Sequence, residues 1–239
     1  MIRIALLLGL AAFTSMIRAA EVPAKGLVGY WNFDETTGTL ANDLSGHGLH
    51  GTVRGAARAP GKSGGAIECK QDALVEVPHA AGLDEFRDGI TVSAWVKRAS
   101  DSTCNMILSR EVQDGPSEYF GLAVVKNKAL FSVDPNGAHY QNIQSSEDMP
   151  AGEWIHLAGT YDGQAFKLYV NGRLAKSAPC AVPFKFADRN PLIIGGNTNT
   201  QGKKWVDCFH GLIDEVRLYN RALNENDISE LHAHVAAKN

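Results

Sequence analysis

Asp214 is the residue whose chemistry most needs explaining. The run Gly211 to Tyr219 (GLIDEVRLY) reads as a β-strand, and strict alternation puts Leu212, Asp214, Val216 and Leu218 on one face. Ile213, Glu215, Arg217 and Tyr219 then take the other face. A carboxylate among apolar neighbours is costly to bury unless it is paired or hydrogen-bonded. Two arrangements satisfy it: a calcium ion, which takes oxygen ligands, or backbone N–H groups capped by the side chain. A second group of residues suits a different task. Asn197 to Cys208 (NTNTQGKKWVDC) is polar and carries one large aromatic, Trp205. Sugars are held by an aromatic plane against their C–H face and by amides and charges against their hydroxyls. Trp205, Asn197, Asn199 and Gln201 supply both, and Tyr140 and His139, after the turn Asp134-Pro135-Asn136-Gly137, can join them. The alternative is an ordinary solvated loop with Trp205 tucked against the protein.

Other chemistries are weaker. His47-x-x-His50 lies in a glycine-rich loop and not on one helix face, so surface histidines are expected rather than zinc. Asp214 and Glu215 are adjacent, which on a strand sends them to opposite faces and spoils them as a catalytic pair. Glu111, Glu118 and Glu147 are read as loop residues without a patterned partner, and no Gly-x-Ser-x-Gly elbow is expected. The four cysteines, Cys69, Cys104, Cys180 and Cys208, have no C-x-x-C spacing, which speaks against a zinc knuckle or a redox motif. One or two disulfides are expected, with all three connectivities open and Cys69 as a possible buried thiol.

The elements that would position these residues are mostly strands. Met1-Ile2-Arg3, the apolar run Ile4 to Phe13 and the small residues Ala19 and Ala20 have the layout of a secretory signal peptide, residues 1–20, leaving one domain over residues 21–239. Export would make the chain secreted or periplasmic, and no later stretch is long enough to span a membrane as a helix. Losing Arg3 and Arg18 takes the formal charge from −3 to −5, so no nucleic-acid partner is expected, the doublet Lys203-Lys204 being read as a solvated loop. Thr91 to Lys97 and Trp154 to Tyr161 alternate well, and Phe166 to Val170 and Arg173 to Ser177 flank Asn171-Gly172, a strong hairpin signal. Tyr119 to Val125 and Ala129 to Val133 form another pair. Only Glu225 to Ala236 reads as helix, with Asn224 as its cap and Ile228, Leu231 and Val235 on one stripe. The fold class is therefore all-β, an antiparallel sandwich with a short C-terminal helix.

Specific strings sharpen this. Gly26 to Glu35 (GLVGYWNFDE), Asp43 to Gly51 (DLSGHGLHG), Leu74 to Pro78, Thr91 to Val96, Gly152 to Gly163, Leu168 to Gly172, Ile194 to Asn197 and Gly211 to Leu223 together resemble laminin-G-like, concanavalin A-like jelly-roll domains, in family order and over most of the chain. The resemblance implies two curved antiparallel sheets, frequent calcium binding, and use in adhesion or glycan recognition. It implies a structural calcium between the N-terminal and C-terminal strands, with Asp34 and Asp43 joining Asp214 and carbonyls of the Gly46 to Gly51 loop. It also marks Trp31, Trp95 and Trp154 as packing residues. Hydrolases and lyases share this fold, but none of the strands read here carries the Glu-x-Asp-x-x-Glu string of its endoglucanases (Glu225 to Glu230 spells it only within the expected helix), and the Arg-x-Glu-x-Arg and Gln-x-His strings of its alginate lyases are missing. The resulting expectation is a secreted carbohydrate- or matrix-binding module whose partner is a glycan or an extracellular matrix or cell-surface ligand. The alternatives are a polysaccharide-processing enzyme and a protein-binding adhesive protein.

Overall fold

A computed structural model describes residues 22–99, 104–111, 118–136, 140–182, 189–198 and 205–237; the expected signal peptide lies outside them. In chain order the strands are β1 (Leu27–Trp31), β2 (Leu40–Ala41), β3 (Gly51–Arg54), β4 (Ala57–Pro60), β5 (Gly65–Cys69), β6 (Leu74–Val77), β7 (Ile90–Arg98), β8 (Cys104–Glu111) and β9 (Glu118–Val125). They continue with β10 (Lys128–Val133), β11 (Gln141–Asp148), β12 (Ile155–Tyr161), β13 (Ala165–Val170), β14 (Arg173–Pro179), β15 (Leu192–Ile194), β16 (Asn197–Thr198), β17 (Trp205–Val206) and β18 (Gly211–Tyr219). One helix, α1 (Glu225–Ala236), follows.

The strands form two eight-stranded sheets. Sheet A runs β14-β13-β12-β7-β18-β5-β4, with β1 also paired to β18; sheet B runs β11-β10-β9-β8-β15-β6-β3-β2. Strands β16 and β17 make a small separate hairpin. The core lies between the sheets and is built by alternation. Val92, Ala94 and Val96 of β7, Ile155, Leu157 and Tyr161 of β12, and Phe166 and Leu168 of β13 meet Phe120, Leu122 and Val124 of β9 and Phe131 and Val133 of β10. The jelly-roll sandwich expected from the sequence is the observed fold.

The helix starts where its cap predicts. The Asn224 side chain accepts the Asp227 N–H at 3.0 Å, and the Asp227 carboxylate accepts the Asn224 N–H at 3.3 Å, a reciprocal cap that satisfies two of the free N-terminal donors. Ile228, Leu231 and Val235 are buried, and α1 packs on the outer face of sheet A, with Ile228 and Leu231 against Ala158, Tyr169 and Tyr219. Asn171 and Gly172, at φ 48 and 76, make the tight turn between β13 and β14. A Cβ on Gly172 would lie 3.0 Å from Cβ of His232, so the bare turn lets the helix seat there.

Candidate functional site

The face expected for Asp214 is corrected by a bulge. The β18–β7 register shifts between Asp214 and Arg217, and Glu215 sits at φ 53. Ile213, Val216 and Leu218 therefore all point into the core, and Asp214 stands opposite Trp95 on the other face. Asp214 is wholly buried, and its Oδ2 and Oδ1 accept the backbone N–H groups of Ser63 at 2.9 Å and Glu215 at 2.6 Å. Burial pushes its carboxyl up to about 7; the Ser63 N–H pulls the other way and the Glu215 charge adds to the rise. Glu215, freed by the bulge, accepts the Tyr30 hydroxyl and pairs with Arg217 at 2.5 Å. The Arg217 guanidinium lies 4.0 Å from the centre of the Tyr30 ring.

The three expected calcium ligands do not come together as one set. Asp34 Oδ1 accepts the Gly65 N–H at 2.7 Å, so Asp34 and Asp214 both hold the turn between β4 and β5. Asp43 closes its own loop: it accepts from the N–H groups of Tyr30, Ser45 and Leu49 and from the Ser45 hydroxyl, at 2.8 to 3.0 Å. Burial alone would raise its carboxyl, but these bonds outweigh it and hold it below the usual carboxylate range. Its carboxylate is thus spent on backbone, the Asx-turn role that its loop position also suggested. Among the described residues no three His, Cys, Asp or Glu side chains are grouped to share a metal ion. His47 and His50 are exposed, and His50 Nδ1 accepts the Asp43 N–H.

Two readings of catalytic strings also change. Gly61-Lys62-Ser63-Gly64-Gly65 does spell Gly-x-Ser-x-Gly, yet it is the hairpin turn of β4 and β5, closed by Gly61 N–H to Gly64 O at 2.8 Å. A nucleophile elbow needs a strand leading into a helix, so the match is one of letters. Glu111 and Glu118 are strand residues, directly opposite each other at the ends of β8 and β9, and Glu147 lies on β11.

The disulfide expectation is not met among the described residues. Cys69, Cys180 and Cys208 are buried free thiols, and the Cys104 side chain lies outside the described set. Burial pushes the Cys69 and Cys208 thiols up, and buried thiols of this kind pack as small apolar groups.

Of the expected sugar-binding residues, Asn199, Gln201 and His139 lie outside the described residues. Trp205 is placed by its backbone on β17, opposite Thr198. Asn197 is buried, and its Oδ1 accepts from Ser109 Oγ and from the Thr198 N–H, each at 2.9 Å. It anchors the β16–β17 hairpin to β8 rather than offering an open amide. Tyr140 is 42% exposed, at the start of β11. Between them runs a cross-strand row that the sequence reading missed: Ser109, Gly121, Ser132 and Asn142 on β8, β9, β10 and β11. Gly121 and Ser132 alternate with core residues, so this row faces away from the core. The signal in the sequence is a small or polar residue at every second position beside Leu122, Phe120 and Phe131. Three strand spacings separate β8 from β11, roughly 14 Å. The row is mostly covered: Ser109, Gly121 and Ser132 are buried, with Ser109 Oγ bonded to Gly196 O and Asn197 Oδ1, and only Asn142, beside Tyr140, is exposed.

The outer face of sheet A is closed instead. Trp95 stacks on His232 of α1 at 5.3 Å, His156 lies 5.5 Å from Trp95, and Lys62 sits 5.0 Å over the Trp95 ring. Burial drives the His156 pKa down to about 3, with the His232 and Arg217 charges adding to it.

Comparison with known proteins agrees with this architecture. The sequence model of a laminin G family, described as the concanavalin A-like lectin/glucanases superfamily, matches residues 70–229. The adhesion G-protein coupled receptor V1 of Danio rerio is 25% identical over 153 residues, which is 59% of this chain and 2% of the receptor; the chain thus spans a small part of that relative. Domain 4 of AbnA, an extracellular arabinanase of Geobacillus stearothermophilus, solved with arabinotriose, superposes with a TM-score of 0.67 at 24% identity, over 86% of this chain and 97% of that one. The binding domain of botulinum neurotoxin DC, solved with rat synaptotagmin II, gives 0.70 at 14% identity, over 89% and 52%. No helix of the described residues is long and apolar enough to cross a membrane.

Proposed function

Because the chain belongs to the concanavalin A-like lectin/glucanases superfamily, we propose that it is a secreted or periplasmic glycan-binding module that binds on the outer face of sheet B. The observation that carries this reading is the exposed pair Tyr140 and Asn142 at the β11 side of this face, an aromatic plane beside an open amide, with the Trp205 hairpin across the sheet. Tyr140 offers a stacking plane to the C–H face of a sugar, and Asn142 offers an amide to its hydroxyls. Similar folds solved with arabinotriose or with rat synaptotagmin II support a binding role of this kind. On a glycan array, binding should fall more than tenfold in both Tyr140→Ala and Trp205→Ala. Full binding by both variants overturns the site. The opposed Glu111 and Glu118 favour one second reading, polysaccharide hydrolysis. Cleavage of the bound glycan that is lost in Glu118→Gln would replace binding by catalysis.

Calcium enters the proposal at Asp34 and Asp214 only, Asp43 being occupied. Support comes from the carboxyl of Asp214, which stays at about 7 despite its backbone partners, so a cation would relieve its burial. Each carboxylate oxygen has a second lone pair beyond the bond it accepts. The ion would pin the β4–β5 turn to β18. Adding a chelator should then lower the melting temperature by several degrees, and Asp214→Asn should abolish the response. An unchanged melting curve would remove calcium from the reading.

A further inference from the structure

On one side of the sandwich the terminal strands of the two sheets, β14 and β11, stand beside each other without pairing. Between them opens a cavity of about 550 Å³, within the usual size of small-ligand pockets, about 300–1,000 Å³. Glu147 of β11 and Arg173 of β14 line it from opposite sheets. Both are exposed, and neither makes an ion pair with the other or with any further described residue. Two opposite charges facing one cleft and left unpaired are available to a ligand that carries the complementary groups.

The rest of the lining narrows that ligand. Asn171 Oδ1 accepts the His156 N–H at 2.9 Å, which leaves its amide NH₂ as the free donor. Ser146 adds an exposed hydroxyl, and Leu174, 44% exposed, adds an apolar surface. His232 closes the inner end, held by its stacking on Trp95. Burial, with the Lys62 and Arg173 charges, lowers its pKa and so favours the uncharged ring. Ser145 Oγ donates to the Glu147 carbonyl at 2.8 Å and fixes the backbone beneath the carboxylate. A guanidinium fork matches a carboxylate. A carboxylate such as Glu147 accepts hydroxyls, and Leu174 suits a C–H face.

We propose that the cleft between β11 and β14 binds an acidic sugar, a uronic-acid residue of a glycan, with its carboxylate on Arg173 and its hydroxyls on Glu147. This rests on the glycan reading but places a separate subsite, away from Tyr140 and Trp205. A free amino acid would also meet both charges, but it has no ring hydroxyls for Ser146 and Asn171 and little C–H surface for Leu174.

The test is a titration of the ¹⁵N-labelled chain with trigalacturonate, its methyl ester, a neutral trisaccharide and glycine. Trigalacturonate should shift the amides of Glu147, Asn171, Arg173 and Leu174. Arg173→Ala and esterification should each weaken binding at least tenfold, with no further loss when combined, and Glu147→Gln should weaken it several-fold. Tyr140→Ala should leave this site unchanged. Equal binding of acid and ester overturns the proposal, as does glycine moving the same amides at the same concentration. If the acid instead binds only at Tyr140, the glycan reading stands and this subsite falls. If no saccharide binds anywhere, both fall.

Discussion

Replacing Gly159 with alanine should cost about 3 kcal/mol of unfolding free energy, a large effect for one methyl group. Gly159 lies in the middle of β12, on the face turned toward sheet B. A Cβ there would fall 2.2 Å from Cδ2 and 2.3 Å from Cγ of Phe131, on β10 of the opposite sheet. Those contacts are far inside van der Waals distance, and an aromatic ring packed between two sheets has no flexible end to withdraw. The sheets must part or Phe131 must leave its rotamer, and either disturbs the neighbouring core. Urea unfolding of Gly159→Ala and of Gly159→Ala with Phe131→Leu checks this. The smaller side chain should return a substantial part of the loss, although Phe131→Leu alone is itself destabilising. Equal losses in the single and double variants would mean that the two residues do not oppose each other.

Acid should remove about 4 to 5 kcal/mol through His156 alone, at 1.4 kcal/mol per unit of pKa displacement. The pKa of His156 falls from 6.5 to about 3 because burial disfavours the charged ring, and the charges of His232 and Arg217 add to this. The unfolded chain therefore takes up a proton near pH 6.5 while the folded chain refuses it. The contribution is fully present above pH 6.5 and is lost progressively as the pH falls toward 3. The groups that act on it are the Trp95 ring, His232 of α1 and Arg217, and no carboxylate forms an ion pair with it among the described residues. Nδ1 has no hydrogen-bond partner, so His156→Phe removes the titration and sacrifices little bonding. Stability measured from pH 7.5 to 3.5 should fall more steeply in the wild type than in His156→Phe. The difference between the curves cancels what other groups contribute. Parallel curves would show that His156 titrates normally.

The sequence exposed most of the fold because its strands alternate cleanly. Alternation puts Val92, Ala94 and Val96 on one face of the run Thr91 to Lys97, and that face is the core; Asn224 with Asp227 marks the helix start to the residue. The short strands β2, β3, β4, β16 and β17 escaped, and so did two long ones. β11 is an exposed edge with few buried positions, and β8 carries Asn105, Ser109 and Arg110 as buried polar residues that serve particular partners. Period reading also failed at Asp214, since one residue in a left-handed conformation exchanges the faces on either side of it, and Glu215 is not a residue type that announces this. The candidate site was legible only at its ends, Tyr140 and the Trp205 hairpin. Their common face depends on which strands lie side by side, and the cleft holding Glu147 and Arg173 depends on how the two sheets abut. Neither relation is written in local pattern.

The position of β18 sets the order in which the chain can become whole. It is the last strand, yet it lies inside sheet A, between β7 on one side and β5 and β1 on the other. A nascent chain emerging from its N-terminus would hold sheet A as two unjoined pieces, β14-β13-β12-β7 and β5-β4, with β1 unpaired. Their edges and apolar faces stay open until residue 219 is released, since pairings this distant in sequence cannot form earlier. Synthesis therefore delivers an incomplete sandwich to whatever machinery receives it, and closure becomes a single late event. Truncation anywhere before Gly211 should leave no smaller stable core behind.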